Sequence, residues 1–347
     1  MVIQEPALWR DVPVRGEVLD ASTRGLSGLE SLRQLRGQPP MGRLTGVTFE
    51  GADEGTATFT MPVSAWLQWS SAGVPGGVLA LPADAALGCA LQSLMPAYTQ
   101  YTTAEMSMTY VRPARVGSTV TARGRSLYAG RTMGLSECQV TDDAGRMVAH
   151  ATSRMRIFGD PAAGAPTRGG TAVPPKLTLP APSPDDGPDP YLRPVVHDRV
   201  DAEELRHRPG IEVVRAQIRG DLPLPPLHHL MGLVPTAAAP GAAACVLPLS
   251  GWLVTPFGWP QGGFIVVLAD LALALAVQTT LASGERMASV DIKVNFLRPV
   301  AGDGSTIEAR AKVVHRGRSL AVTTAEVIAA DGRTVAIATG SAHLLGR

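Results

Sequence analysis

Two aspartates stand alone inside long apolar runs of the chain. Asp270 is the single charge in GGFIVVLADLALALA, residues 262–276, and Asp84 has the same position in GGVLALPADAALGCA, residues 76–90. Taking a carboxylate out of water costs several kcal/mol unless something compensates, and an apolar surrounding raises its pKa and its strength as a base. We therefore expect the two carboxylates to carry chemistry. The structural alternative is a buried aspartate that backbone donors satisfy, which a duplication would preserve equally well.

The two runs belong to a repeat that covers most of the chain. The pairs Gly76 and Gly262, Asp84 and Asp270, and Trp66 and Trp252 are all 186 residues apart. One inserted residue further on, Gly130-Arg131 matches Gly317-Arg318 at a spacing of 187. Self-similarity at a fixed spacing indicates repeated structural units. We predict an N-terminal domain at 1–159, a Pro- and Gly-rich linker at 160–194 and a C-terminal domain at 195–347.

Each copy contains the same order of predicted elements. Ser27 and Glu30 form a capping-box pattern at the start of a short helix. Strands are expected around 43–50 and 55–61, then a long apolar helix at about 77–95 in copy one and 263–282 in copy two. Three or four segments of alternating hydrophobicity follow, which predicts strands. The order predicts an α+β domain in which an antiparallel sheet wraps around one buried helix.

The spacing of these residues resembles that of a known family. A Gly-Gly pair, an Asp seven residues later, a Ser or Thr about nineteen residues further on and a strand end of the form [FY]-x-R-P occur in both copies. This pattern is similar to hotdog-fold acyl-CoA thioesterases of the PaaI-like type. The resemblance implies two hotdog domains packed as a pseudo-dimer within one chain, with antiparallel central helices and two sites at the seam; further homo-oligomerisation is left open.

The resemblance also implies a reaction, which is hydrolysis of an acyl-CoA to a free acid and coenzyme A. Asp84 and Asp270 would serve as general base or nucleophile. Gly76 and Gly262 would donate backbone N–H groups to the oxyanion, because the first N–H groups of a helix lack internal partners. Each Asp lies about 10 Å along its helix from its own glycine pair, so we expect Asp84 to work with Gly262 and Asp270 with Gly76.

Further site residues follow from the same resemblance. Thr103 and Ser289 would orient the carboxylate or its water. Phosphate groups of coenzyme A would meet arginine side chains, for which the candidates are Arg112, Arg298, Arg131 and Arg318. Coenzyme A enters as part of the substrate, so no separate cofactor and no metal ion is expected.

The two copies depart unequally from the family pattern. The family commonly has His before the Gly pair, where this chain has Pro75 and Gln261. The family's polar residue six positions earlier is Thr255 in copy two but Trp69 in copy one. Gln261 can still donate a hydrogen bond to a thioester carbonyl. We therefore expect one competent site, formed by Asp84 with elements of copy two, and a weak or lost site at Asp270.

Three functions are compatible with these residues to different degrees. The leading one is a thioesterase for a medium or bulky acyl group. The absent histidines favour a non-catalytic acyl-CoA binding or sensing protein as the alternative. A hotdog hydratase ranks third, because those enzymes typically show a paired Asp and His motif that neither helix region contains.

The charge and composition of the chain argue against several classes of binding partner. The formal net charge is +1 and no block of like charge occurs, which argues against nucleic-acid binding. Three widely spaced cysteines and an N-terminus without a secretory pattern favour a cytoplasmic protein. Residues 264–282 are the one candidate membrane span, and we interpret them as a helix buried on all sides. The pair His228-His229 is interpreted as a loop feature rather than a metal site.

Overall fold

The first copy has the predicted order of elements, with one addition. The computed structural model describes residues 10, 12–19, 23, 25–69, 73–159, 179, 187–195, 200 and 202–346. In copy one the helices are α1 (Gly28–Arg33), α2 (Pro40–Thr45) and α3 (Ala80–Gln92). The strands are β1 (Thr48–Asp53), β2 (Thr56–Pro62), β3 (Gln100–Tyr110), β4 (Thr119–Ala129), β5 (Met133–Thr141) and β6 (Met147–Phe158).

The second copy repeats this order after the linker. Its helices are α4 (Ala202–His207), α5 (Gly210–Arg219), α6 (Pro226–Met231) and α7 (Gly262–Gln278). Its strands are β7 (Val234–Ala239), β8 (Ala242–Pro248), β9 (Arg286–Phe296), β10 (Thr306–Arg316), β11 (Leu320–Ala329) and β12 (Thr334–Leu345). Most of the predicted linker, at 160–178 and 180–186, lies outside the described residues, so the predicted domain limits remain predictions.

All twelve strands form a single antiparallel sheet that both copies share. The strand order is β1-β2-β4-β5-β6-β3-β9-β12-β11-β10-β8-β7, which reads the same in both copies from the centre outward. At the centre β3 pairs with β9, from Glu105 opposite Asn295 to Thr109 opposite Asp291. This pairing closes the inner edge that each copy would expose alone. The prediction of two hotdog domains packed as a pseudo-dimer is confirmed.

The central helices α3 and α7 run antiparallel against each other. Gly263 lies beside Asp84 and Gly77 lies beside Asp270, so the numbering rises along one helix as it falls along the other. Contact is close, since a Cβ on Gly263 would lie 2.9 Å from the carbonyl oxygen of Ala80. Nearly every residue of both helices is buried. The helix at 263–282 is therefore a core helix, as its composition predicted.

The two central helices begin differently, and Pro82 explains why. Copy one starts with a 3₁₀ turn at Gly76–Leu79, and α3 follows from Ala80. In copy two α7 is regular from Gly262. Pro82 has no N–H to donate to the carbonyl four residues earlier, and a proline is tolerated only in the first turn of a helix. The α-helix therefore begins just before Pro82, which produces no kink inside α3.

Two expectations for the segment before β1 and its repeat were wrong. The strand predicted around 43–50 is helix α2 up to Thr45, and β1 begins only at Thr48. His228 and His229 lie in the equivalent helix α6 and are buried rather than in a loop. Both helices begin with a proline at their first turn and end at a glycine with positive φ, Gly46 and Gly232. A Pro-Pro start and a Gly stop are the sequence signals of a short helix.

The segment that leads into each copy packs on the opposite copy. The indole of Trp252 donates to the carbonyl of Val12 at 3.3 Å, and the indole of Trp66 donates to the carbonyl of Arg193 at 2.8 Å. The backbone N–H of Leu19 donates to the carbonyl of Pro256 at 2.7 Å. These reciprocal contacts tie the two copies together.

A bilayer-spanning helix, with the length and apolar composition that this requires, is not found among the described residues.

Candidate active site

Asp84 is held at the seam by donors from both copies. The backbone N–H of Gly263 in copy two donates to Asp84 Oδ2 at 3.0 Å, and the hydroxyl of Thr103 in copy one donates to Oδ1 at 3.4 Å. The side chain is only 7 % exposed. The second glycine of the Gly262-Gly263 pair thus holds Asp84 across the seam, and the role of Gly262 as an oxyanion donor stays a prediction.

Burial is the main influence on the acidity of this carboxyl group. It raises the pKa of Asp84 to about 6, against the lowering effect of hydrogen bonds from Gly263, Thr103 and Gly262. Desolvation disfavours the charged form, while donors aimed at the carboxylate favour it. The group is consequently ionised at neutral pH and is a stronger base than an exposed aspartate.

Asp270 has the same kind of anchor in the opposite direction. The N–H of Gly77 donates to Asp270 Oδ2 at 2.9 Å, and the Ser289 hydroxyl also hydrogen-bonds to the carboxyl group. Burial raises the pKa of Asp270 to about 6, and the side chain is 3 % exposed. The structure therefore brings Thr103 and Ser289 to equivalent positions beside the two carboxyl groups.

The first glycines of the two pairs differ in what covers them. A Cβ on Gly76 would lie 2.7 Å from the ring of Tyr110, so this ring packs directly on the glycine of the Asp270 site. At the Asp84 site the equivalent ring is Phe296, 3.5 Å from a Cβ on Gly262. Gly262 N–H also contributes to lowering the pKa of Asp84, whereas Gly76 makes no such contribution at Asp270. The aromatic ring at the Asp84 site thus packs less closely on its glycine than the ring at the Asp270 site does.

The residues that replace the family histidine are also different. The amide nitrogen of Gln261 donates to the carbonyl of Leu81 in α3 at 2.8 Å, and its Oε1 is buried without a hydrogen-bond partner. One N–H of the Gln261 amide thus joins the copies, and its hydrogen bond to a thioester carbonyl stays a prediction. Pro75, its counterpart, offers no donor. The Thr255 hydroxyl accepts from the N–H of Phe257 at 3.3 Å and belongs to a turn.

A large cavity opens beside Asp84 and distinguishes the two sites. Its volume is about 1250 Å³, above the usual range of ligand pockets. The lining includes Asp84, Thr103, Gln261, Gly262 and Thr255, so it contains every predicted residue of this site. Asp270, Gly76 and Ser289 do not line it. The structure therefore brings one predicted set of site residues to a ligand-sized space and leaves the other outside that space.

The four predicted coenzyme A arginines are dispersed. Only Arg298 lines the cavity, and its guanidinium donates to the carbonyl of Thr334. Arg112 makes the equivalent backbone contact in copy one away from the cavity, and the exposed Arg131 and Arg318 do not line it either. Two arginines that the sequence analysis missed do line the cavity, at positions 36 and 156.

Tyr101 is a further cavity residue that sequence reasoning missed. Its side chain packs on α3, because a Cβ on Gly88 would lie 2.4 Å from the phenol oxygen. Burial, with Cys89 and Asp84 nearby, holds the pKa of Tyr101 well above its ordinary range. The phenol therefore stays neutral. Its spacing two residues before Thr103 on strand β3 was the available signal, since alternate strand residues share a face.

The Asp270 side carries bulkier groups in equivalent positions. Trp69 stands where the Asp84 cavity has Thr255, and its ring packs against His228 of α6 at a centroid distance of 5.4 Å. Burial lowers the pKa of His228 to about 4, and its Nδ1 lies 2.8 Å from the carbonyl of Leu233. His228 is therefore a neutral core residue.

Among the described residues, His, Cys, Asp and Glu form no group of three or more that could hold a metal ion.

In comparison with known proteins, both copies of the repeat are similar to one protein family. The family model described as "Thioesterase superfamily" matches twice, at residues 74–149 and 261–336. Each match runs from the segment before the Gly pair into the last strands of its copy. An esterase of Haemophilus influenzae, itself named only provisionally, is 34 % identical over 76 residues, which is 22 % of this chain and 54 % of the relative. The match thus spans about half the length of that relative.

Solved structures share the fold over most of the chain. Acyl-CoA thioesterase II of Mycobacterium marinum is 12 % identical with a TM-score of 0.51, over 88 % of this chain and 98 % of that one. A hotdog-fold protein of unknown function from Alicyclobacillus acidocaldarius is 15 % identical with a TM-score of 0.53, again over 88 % and 98 %. At these identities the similarity establishes a double-hotdog architecture.

Proposed function

Because this chain carries the thioesterase-superfamily domain twice, we propose that it hydrolyses acyl-CoA thioesters, and that it does so at the Asp84 site. The observation that carries the proposal is the position of Asp84, a buried carboxylate with a raised pKa at the wall of a cavity of about 1250 Å³. An ionised base near pH 7 beside a space for substrate is what thioester hydrolysis needs.

In the proposed reaction, Asp84 takes a proton from a water molecule whose oxygen attacks the thioester carbonyl carbon. The carbonyl oxygen becomes negative, and the N–H of Gly262 at the start of α7 donates to it. The C–S bond then breaks, and the thiolate of the leaving group takes the proton back from Asp84. Thr103 holds the carboxylate from the side opposite Gly263, which fixes its orientation. In the alternative scheme, the Asp84 carboxylate itself attacks the thioester carbonyl carbon.

Two experiments test this proposal. Free thiol release is measured with the purified chain and acyl-CoA substrates from two to sixteen carbons, and we expect release that depends on Asp84. Single turnover in ¹⁸O-labelled water then distinguishes the two schemes. Label in the Asp84 side chain after one turnover would establish carboxylate attack, because only hydrolysis of an acyl anhydride at the Asp84 carbonyl carbon puts solvent oxygen there; water attack places the label in the product alone.

A second function, acyl-CoA binding without hydrolysis, is favoured by one specific observation. The amide of Gln261, which replaces the family histidine, donates to the carbonyl of Leu81, so the site has fewer free donors for a developing oxyanion. Tight binding of acyl-CoA with no thiol release in the same assay would establish this alternative. Release above the rate of the Asp84→Asn variant would exclude it.

A further inference from the structure

The two central helices carry side chains of different size at equivalent positions. Ala85 and Cys89 in α3 are four residues apart and therefore lie on one face of the helix. Both line the cavity beside Asp84. The equivalent positions in α7 are Leu271 and Leu275, which are 1 % and 0 % exposed. Copy two thus has buried leucine side chains at the positions where copy one has two residues of the cavity wall.

Cys89 acts here through its size rather than its reactivity. Burial, with a smaller contribution from the charge of Asp84, raises the pKa of the Cys89 thiol to about 12. The thiol is therefore neutral at physiological pH and behaves as a small apolar group. Its neighbour Ala85 is half-buried and packs against the core. Neither side chain competes with Asp84 for the reaction itself.

The opposite wall of the cavity is apolar. Phe49 of β1 and Phe59 of β2 both line it, with ring centroids 5.2 Å apart. Ile265 of α7 also lines it near the seam. From Asp84 to Cys89 the helix rises about 7.5 Å. These apolar side chains line the same cavity as Asp84, Ala85 and Cys89 on α3.

We propose that Ala85 and Cys89 are the residues that determine which acyl groups the site accepts, and that they admit a bulky apolar acyl group along α3. This inference rests on the proposed function and adds its substrate class. A leucine at either position would place a larger side chain at the cavity wall and leave less room for an acyl group. The size of these two side chains, rather than the chemistry at Asp84, then separates long from short acyl groups.

Binding of thioether analogues tests this inference independently of hydrolysis. Dissociation constants of S-decyl-CoA and S-ethyl-CoA are measured by calorimetry for the wild-type chain, Ala85→Leu and the double variant Ala85→Leu/Cys89→Leu. We expect the preference for the decyl compound to fall about tenfold or more with each leucine, because a mismatch of one or a few methylenes is worth 10- to 200-fold in an apolar pocket.

The outcomes separate this inference from the proposed function. An unchanged decyl-to-ethyl ratio in the double variant would overturn it, even if the wild-type chain hydrolyses both thioesters. Loss of thiol release in the wild-type chain would refute the proposed function and leave the binding ratio as the test. Ala85→Val provides a smaller step, expected to give an intermediate ratio. A melting temperature at or above that of wild type is expected for Ala85→Leu, because the leucine enters a cavity; overpacking of a filled core would lower it.

Discussion

The two aspartates of this chain have the same anchor and different surroundings. Each accepts a hydrogen bond from the second glycine of the opposite copy, at 3.0 Å for Asp84 and 2.9 Å for Asp270. Burial raises both pKa values to about 6. Yet only Asp84 lines the large cavity, while the ring of Tyr110 covers the glycine beside Asp270. A duplicated acid therefore marks a shared architecture, and the side chains around it decide whether a substrate can reach it.

The anchor itself has a structural consequence in both copies. A carboxylate that accepts from the first turn of a helix satisfies an otherwise unpaired N–H and interacts favourably with the helix dipole. Asp270 does this for the helical start at Gly77, and Asp84 does it for α7. Each aspartate thus caps the central helix of the other copy. This role explains why Asp270 persists at a site that we propose to be inactive.

Separate replacement of each aspartate by asparagine tests whether the two sites are unequal in activity. Asp84→Asn removes the base but keeps a side chain of the same shape, and we expect thiol release to fall about 10³-fold, within the range typical for general-base removal. Asp270→Asn is the matched control in copy two, with activity within about threefold of wild type. Thiol release with a long-chain acyl-CoA measures both. Equal losses in the two variants would contradict the inequality of the sites.

The pH dependence of kcat/KM also distinguishes Asp84 from Asp270 as the catalytic base. Because Asp84 must be ionised to act as a base and its pKa is raised to about 6, kcat/KM should rise with pH, reach half its maximum near pH 6 and level off about one pH unit above that. Activity at pH 5 should be about a tenth of the plateau. Asp270→Asn should leave this profile in place, although Asp270 has a similar pKa. A profile that levels off near pH 4 would mean that a different group titrates.

Removal of the hydroxyl beside each carboxyl group should give a smaller effect. The Thr103 hydroxyl lowers the pKa of Asp84, so Thr103→Val should move the midpoint of the kcat/KM profile to higher pH and reduce activity about fivefold at neutral pH. Ser289→Ala makes the equivalent change at Asp270 and should leave the midpoint in place. A shift caused by Ser289→Ala would link Asp270 to the reaction.

Protein stability should respond to the raised pKa of Asp270 even though activity does not depend on this residue. The pKa of Asp270 is raised from 3.8 to about 6 on folding, so its stabilising effect is present below about pH 4 and is lost as the pH rises through 6. Asparagine cannot ionise and can still accept from Gly77. Relative to wild type, Asp270→Asn should gain stability between pH 4 and pH 8, by up to about 3 kcal/mol. Thermal melts at both pH values measure the difference; a relative loss at pH 8 would contradict it.

The sequence indicated the architecture of the site because the repeat carries long-range information. Matching Asp84 to Asp270 at a fixed spacing, with two helical turns between each Asp and its own glycines, required that the helices pair across copies. The structure shows this pairing. The inequality of the copies was visible in Trp69 and Thr255, whose difference in size coincides with the cavity.

Features that depend on tertiary packing were harder to predict. Arg36 and Arg156 line the cavity, but no motif surrounds either of them in the sequence. The short helix α2 was interpreted as a strand, although Pro40 and Gly46 mark its start and stop. The sequence did not single out Ala85 and Cys89, because only the structure places their small side chains at the cavity wall and shows that the equivalent Leu271 and Leu275 are buried.

The number of acyl-CoA molecules that one chain binds tests the central claim most directly. Calorimetric titration of the full chain with the non-hydrolysable S-decyl-CoA gives this stoichiometry, and Asp84→Asn keeps the cavity available for the same titration. The account predicts one ligand per chain in both proteins, bound beside residue 84. Two ligands per chain with equal affinity would show that the Asp270 site also accepts substrate and would contradict it.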